Sequence, residues 1–127
     1  MLQAKYETRG PVPQDVISAV EVATPEPGPG QALVKVLASP INPSDVLTLT
    51  GEYGMLPSLP AIGGNEGVGK VVALGPDTKG PEVGQTVLLP VGLGTWVSHA
   101  LVNARKLKPL PNEADPRQLA MIRRQRC

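Results

Sequence analysis

A chain of 127 residues has room for one domain of ordinary size and a buried core. An apolar share of 41% with a net charge of +1 excludes an intrinsically disordered polymer. No apolar run approaches the ~20 residues of a membrane-spanning helix. Three of the twelve basic residues (Arg123, Arg124 and Arg126) crowd the last five positions, so the stretch to Ile122 holds nine basic against eleven acidic residues, a net of −2. That leaves no basic face for nucleic acid.

Phe is absent and the aromatics are Tyr6, Tyr53 and Trp96, so the core must be Val, Leu, Ile and Ala, with a β-branched share that favours strands. The 14 Gly and 15 Pro are spread between alternating apolar runs and read as turns. Cys127 is the single cysteine, which excludes a disulfide framework and a cysteine metal cluster within one chain. The opening MLQAKYETRG lacks the apolar centre of a secretory leader, and strand-like alternation starts at once. The expected compartment is therefore the cytoplasm.

In chain order, Leu2 to Thr8 is predicted as a strand, broken by Arg9-Gly10-Pro11. Asp15 to Val22 is predicted as a second strand on the period-two set Val16, Ser18, Val20 and Val22. PEPGPG, residues 25–30, cannot sit inside a ladder and must connect. Gln31 to Ser39 carries apolar residues on both faces and is predicted as a central strand. A short helix should follow, with Asn42 as N-cap, Pro43 at the first position, Asp45 at the third and Gly51 at the end. Residues 54–64 read as a loop, and Val68 to Leu74, Gln85 to Pro90 and Trp96 to Val102 as strands, with a last short one at Lys106 to Leu110. Asp115-Pro116-Arg117-Gln118 has the form of a second helix start, with Leu119 to Ile122 continuing it. RRQRC then cuts that pattern off and reads either as a frayed end or as a small anion-binding tail. Six or seven short strands with two short helices predict a mainly β, barrel-like domain.

Chemistry is sparse. GGNEGVG, residues 63–69, has glycines without the G-x-G-x-x-G spacing, and a strand follows them where a phosphate cradle needs a helix N-terminus. Gly92-Leu93-Gly94 fails the same test. His99 is the only histidine and lies in a predicted strand, so neither a metal cluster nor a nucleophile–base pair can be assembled around it. Carboxylates alone show no calcium-loop spacing. Tyr53, between Gly51 and Gly54, has two readings: a loop aromatic covering the core, or a neutral phenol (pKa near ~10) donating to an oxygen that gains negative charge. Asn65-Glu66 between glycines is a turn closing on its own backbone, or part of the same wall.

Three segments together, INPSDVLTLTGEYG, LPAIGGNEGVGKVVALG and VGLGTWVSHALV, resemble the N-terminal part of zinc-independent medium-chain dehydrogenase/reductases. Within that family GEYG, GGNEG and GLGTW are most similar to trans-2-enoyl thioester reductases of fatty-acid synthesis, with quinone oxidoreductases next. The resemblance implies a GroES-like, partly open β-barrel with two short helices over residues 1–122. It places an aberrant or frayed tail at 123–127, with the Rossmann domain absent. Where zinc-dependent relatives carry G-H-E, this chain has Gly64-Asn65-Glu66, and Ser44-Asp45 stand where a further metal-binding cysteine is expected, so no metal site is implied. By the same resemblance NADPH is the expected cofactor, and this chain alone is not expected to bind it. Tyr53 is catalytic, stabilising the enolate that forms as hydride reaches the β-carbon of a 2-enoyl thioester. Asn42 faces the cofactor and Trp96 shapes the substrate pocket. The expected partners are a small enoyl thioester or quinone, and either a separate Rossmann half or a second copy. The expected product is a reductase fragment with little or no activity alone. The alternatives are a quinone oxidoreductase fragment and a non-catalytic GroES-like binding or assembly module.

Overall fold

The computed structural model describes residues 1–51, 59–90 and 93–112. In chain order its elements are β1 (Leu2–Tyr6), α1 (Pro13–Val16), β2 (Ile17–Glu21), β3 (Gln31–Ala38), α2 (Pro43–Thr50), β4 (Ala61–Ile62), β5 (Val68–Leu74), β6 (Thr86–Leu88), β7 (His99–Asn103), a 3-10 turn at Ala104–Lys106, and β8 (Lys108–Pro109). All pairings are antiparallel and form two sheets, β2-β1-β4 and β7-β3-β5-β6-β8.

β3 lies between β5 and β7, as its two apolar faces require. Ala32 and Val34 are sealed from solvent and meet Val71 of β5, Val87 of β6, and Ala100 and Val102 of β7. Leu89, Ala104 and Leu107 close this core, which is aliphatic throughout. On the opposite face of β3, Leu37 is exposed while Leu33 is buried.

Residues 96–98 stitch the two sheets together. On one side Ala4 N donates to Trp96 O (2.8 Å) and Ser98 N to Leu2 O (2.9 Å); on the other, Val36 N donates to Ser98 O (2.9 Å). One three-residue segment thus serves both sheets, and the result is a partly open β domain without a closed barrel.

Two expectations are corrected. The predicted strand from Asp15 begins at Ile17, because Pro13 starts a single helical turn with Asp15 in it, and that turn packs beside α2. The predicted loop at 54–64 contains β4, which pairs with Lys5 and Tyr6 of β1. Trp96 precedes β7, and its neighbour Val97 makes only an isolated bridge to Gln3. The helix predicted from Asp115 and the tail at 123–127 lie outside the described residues.

Candidate active site

The start of α2 is built locally. Asn42 is extended (φ −95°, ψ 157°), Pro43 occupies the first turn, and Asp45 Oδ2 accepts from Asn42 N at 2.7 Å. The Asn42 side chain faces the Asp45 N–H, as in a capping box. That N–H nonetheless donates to the Asn42 carbonyl oxygen at 2.9 Å. Asn42 Oδ1 is left buried without a hydrogen-bond partner. At the other end Gly51 takes the left-handed conformation (φ 86°), and its N–H donates to Leu47 O, closing the helix.

The partner of Asn42 lies far away in sequence. Its Nδ2 donates to Glu66 Oε2 at 3.0 Å. The main chain of Glu66 is held as well: its carbonyl oxygen accepts from Ser39 Oγ (2.6 Å) and Thr95 Oγ1 (2.7 Å), and those hydroxyls lie 2.8 Å apart. Two hydroxyl protons serve three oxygen–oxygen contacts, so one contact has no proton at any moment. Thr95 is fully buried.

Asp45 is only 6% exposed. Burial pushes its carboxyl above the ordinary 3.8, the Asn42 N–H pulls it back, and the charge of Glu66 pushes it up again. The corner therefore holds two carboxylates, with Asn42 donating to each: main chain to Asp45, side chain to Glu66.

Trp96 follows Thr95 directly in the chain. Its Nε1–H reaches Pro40 O at 3.5 Å, the long limit of a hydrogen bond. Its ring presses on glycine backbone: a Cβ at Gly63 would stand 2.4 Å from Trp96 Cε3, and one at Gly64 2.5 Å from Cδ1. Beside it runs an open apolar groove of about 380 Å³, lined among others by Ala4, Val36, Ala38, Ser39, Trp96 and Val97.

The structure thus brings Asn42 into the same corner as Glu66, with Trp96 beside them. Tyr53 lies outside the described residues. Glu66, Ser39 and Thr95 were not singled out from the sequence as a group. The one available signal was the pair Asn65-Glu66 set between glycines, which cannot report a partner 24 positions away. His99 opens β7 opposite Lys35, with Nδ1 3.1 Å from Ser98 Oγ. Among the described residues no group of three His, Cys, Asp or Glu side chains is placed to hold a metal ion. No helix among them is long and apolar enough to cross a membrane.

The fit to a dinucleotide is partial. The Asn42 amide suits a carboxamide group, but the glycines of 63–69 are not free to cradle phosphate. Gly67 meets Leu89 and Thr95, Gly69 sits against Val34 and the Lys35 carbonyl, and the segment runs into β5 with no helix behind it.

Two antiparallel sheets sharing one short segment, with a capped helix and a glycine loop folded over a tryptophan, define the class as a GroES-like β domain. The family is specific: residues 28–112 match the alcohol dehydrogenase GroES-like domain, and the chain belongs to that family. It is 42% identical over 102 residues to mitochondrial enoyl-acyl-carrier-protein reductase of Bos taurus, covering 80% of this chain and 27% of that protein. It is 48% identical over 81 residues to the Homo sapiens protein of the same name, covering 63% of this chain and 22% of that one. Among solved structures it is similar to an Etr1p/NADP/crotonyl-CoA complex, with TM-score 0.74 and 32% identity over 87% of this chain and 33% of that one. It is also similar to Escherichia coli quinone oxidoreductase complexed with NADPH, with TM-score 0.82 and 28% identity over 96% of this chain and 37% of that one. The chain spans about a quarter of the length of these curated relatives.

Proposed function

We propose that this chain supplies the substrate-facing wall of an NADPH-dependent, zinc-independent reductase of 2-enoyl thioesters. The observation that carries the proposal is the convergence of Asn42, Glu66, Thr95 and Trp96 at the start of α2, in a chain 42% identical to an enoyl reductase. The cofactor, when bound, supplies a hydride, and its phosphates would be held by backbone other than the residues described here.

This chain's own residues have separate tasks. Tyr53, neutral at pH 7, donates a hydrogen bond to the thioester oxygen as negative charge gathers there. Trp96, propped on Gly63 and Gly64, forms a stiff side of the pocket, and the apolar groove beside it offers a seat for a short acyl group. Asn42 faces the cofactor side, its position fixed by bonds to Asp45 and Glu66.

The test is to mix the 127-residue chain with a separately expressed dinucleotide-binding half of an enoyl reductase relative and follow NADPH oxidation. Oxidation driven by crotonyl-CoA supports the thioester reading. Oxidation driven only by a quinone favours the second reading, to which the higher TM-score of 0.82 for the quinone oxidoreductase gives specific support. No turnover with either, from a correctly folded mixture, leaves a non-catalytic module.

A further inference from the structure

Asn42 offers two kinds of polar atom to anything that binds beside α2, and the structure makes them unequal. Oδ1 has essentially no accessible surface and no hydrogen-bond partner. Nδ2 carries two protons, one of which is held by Glu66 Oε2 at 3.0 Å. A carboxylate only accepts, so the amide nitrogen must face Glu66 and the oxygen must turn the other way, toward the first turn of α2. The residue is 9% exposed overall, and its oxygen contributes almost none of that.

Glu66 is itself held at two points. Its carbonyl oxygen is fixed by Ser39 and Thr95, while its side chain reaches across to Asn42. The flanking glycines fix the loop: Gly64 has φ +97°, where a side chain is strained, and Gly67 is wedged between Leu89, Thr95 and the Ala38 carbonyl. A charged acceptor anchored in this way selects one orientation of the amide over its flipped alternative.

We propose that Glu66 is a positioning residue that makes Asn42 a hydrogen-bond donor only. The second Nδ2 proton then meets an oxygen acceptor on the bound molecule, a carbonyl or carboxamide oxygen. This inference rests on the reductase reading above and adds a direction to it: the Asn42 corner recognises oxygen acceptors and rejects groups that can only donate. Two sources carry such an oxygen, the carboxamide of a nicotinamide and the carbonyl of a thioester.

The test is nuclear magnetic resonance of the Asn42 side-chain N–H pair in the 127-residue chain, which requires no turnover. In the wild type the Nδ2 proton held by Glu66 Oε2 is shifted well apart from its twin. In Glu66→Gln, which loses the charged acceptor, that separation falls while the main-chain spectrum of the fold is kept. Glu66→Asp, which keeps the charge on a shorter arm, retains the separation in weakened form. Crotonyl-CoA and nicotinamide mononucleotide, added separately at millimolar concentration, distinguish the two sources: the effective one shifts the Nδ2 proton that Glu66 does not hold. In Glu66→Leu, if it folds, that selective shift disappears. Asn42 protons indifferent to Glu66 substitution overturn the positioning role. Glu66-dependent protons that neither ligand moves overturn the donor role. Neither result depends on the reconstituted NADPH oxidation, which fails separately if the chain is not part of a reductase.

Discussion

Trp96 lies so close to Gly63 that an added Cβ would stand 2.4 Å from Cε3 of its ring. No ordinary carbon contact is that short, and the main chain that carries the ring is itself held by the bonds of residues 96 and 98 to β1. Gly63→Ala is therefore expected to cost about 1–3 kcal/mol by overpacking. Gly64→Ala should cost more, since φ +97° adds strain to a clash 2.5 Å from Trp96 Cδ1. Trp96 is the single tryptophan, so its own fluorescence during urea unfolding measures both midpoints and reports displacement of the ring.

Gly69 makes a different kind of contact. It sits in the irregular part of the β3–β5 ladder, and a Cβ there would come within 2.4 Å of Val34 Cγ1 and 2.6 Å of the Lys35 carbonyl oxygen. Val34 is in the core and the carbonyl is backbone, so neither can yield cheaply. Gly69→Ala is predicted to lower stability by about 1–3 kcal/mol or more, with loss of hydrogen-exchange protection along β3 and β5.

Asp45 gives a pH dependence with a definite sign. Its folded pKa lies above 3.8, chiefly through burial, with the Asn42 N–H opposing and Glu66 adding to the rise. The stability linked to its protonation is fully present below 3.8 and is lost as pH rises through the folded value. Asp45→Asn cannot titrate and keeps an oxygen able to accept from Asn42 N. Relative to that variant, the wild type should gain stability as pH falls through this window. Parallel denaturation curves across the same range decide it, since a constant offset would mean that Asp45 is not the linked group.

Asn42→Asp would place a third carboxylate among Asp45 and Glu66 and remove the Nδ2 donor. Like charges at hydrogen-bond distance cannot all stay ionised cheaply. The variant should be destabilised by about 1–3 kcal/mol or more at neutral pH, and acidification should restore part of the loss. Thermal melts at two pH values measure this; Asn42→Ala should lose stability with much weaker pH dependence.

What was legible in the sequence was local. Asn42, Pro43, Asp45 and Gly51 each act within one turn of their own position, so α2 was readable in outline from spacing. β3 and β5 were readable from alternation and from apolar residues on both faces. The start of β2 was misread because Val16 continues a period-two pattern, while Pro13 two residues before Asp15 had already set a helical turn. β4 was hidden in a Pro-rich stretch, its pairing decided by β1 nearly sixty positions earlier. The bond from Asn42 to Glu66 and the seat of Trp96 on Gly63 are long-range, and glycine gives no sign of what will occupy the space that it leaves. The sequence resemblance gave Tyr53, Asn42 and Trp96 their expected roles, whereas it carried Glu66 only as part of GGNEG, and the bond from Asn42 to Glu66 emerges from geometry.

The central claim is that this chain carries the substrate side of a reductase cleft, with Tyr53 at the developing oxyanion. The most direct measurement is the rate of crotonyl-CoA-dependent NADPH oxidation by the chain mixed with a dinucleotide-binding half, for wild type and Tyr53→Phe. The account predicts turnover in the mixture and a loss of ~10²–10³ in rate for Tyr53→Phe. Turnover that Tyr53→Phe leaves unchanged would contradict it.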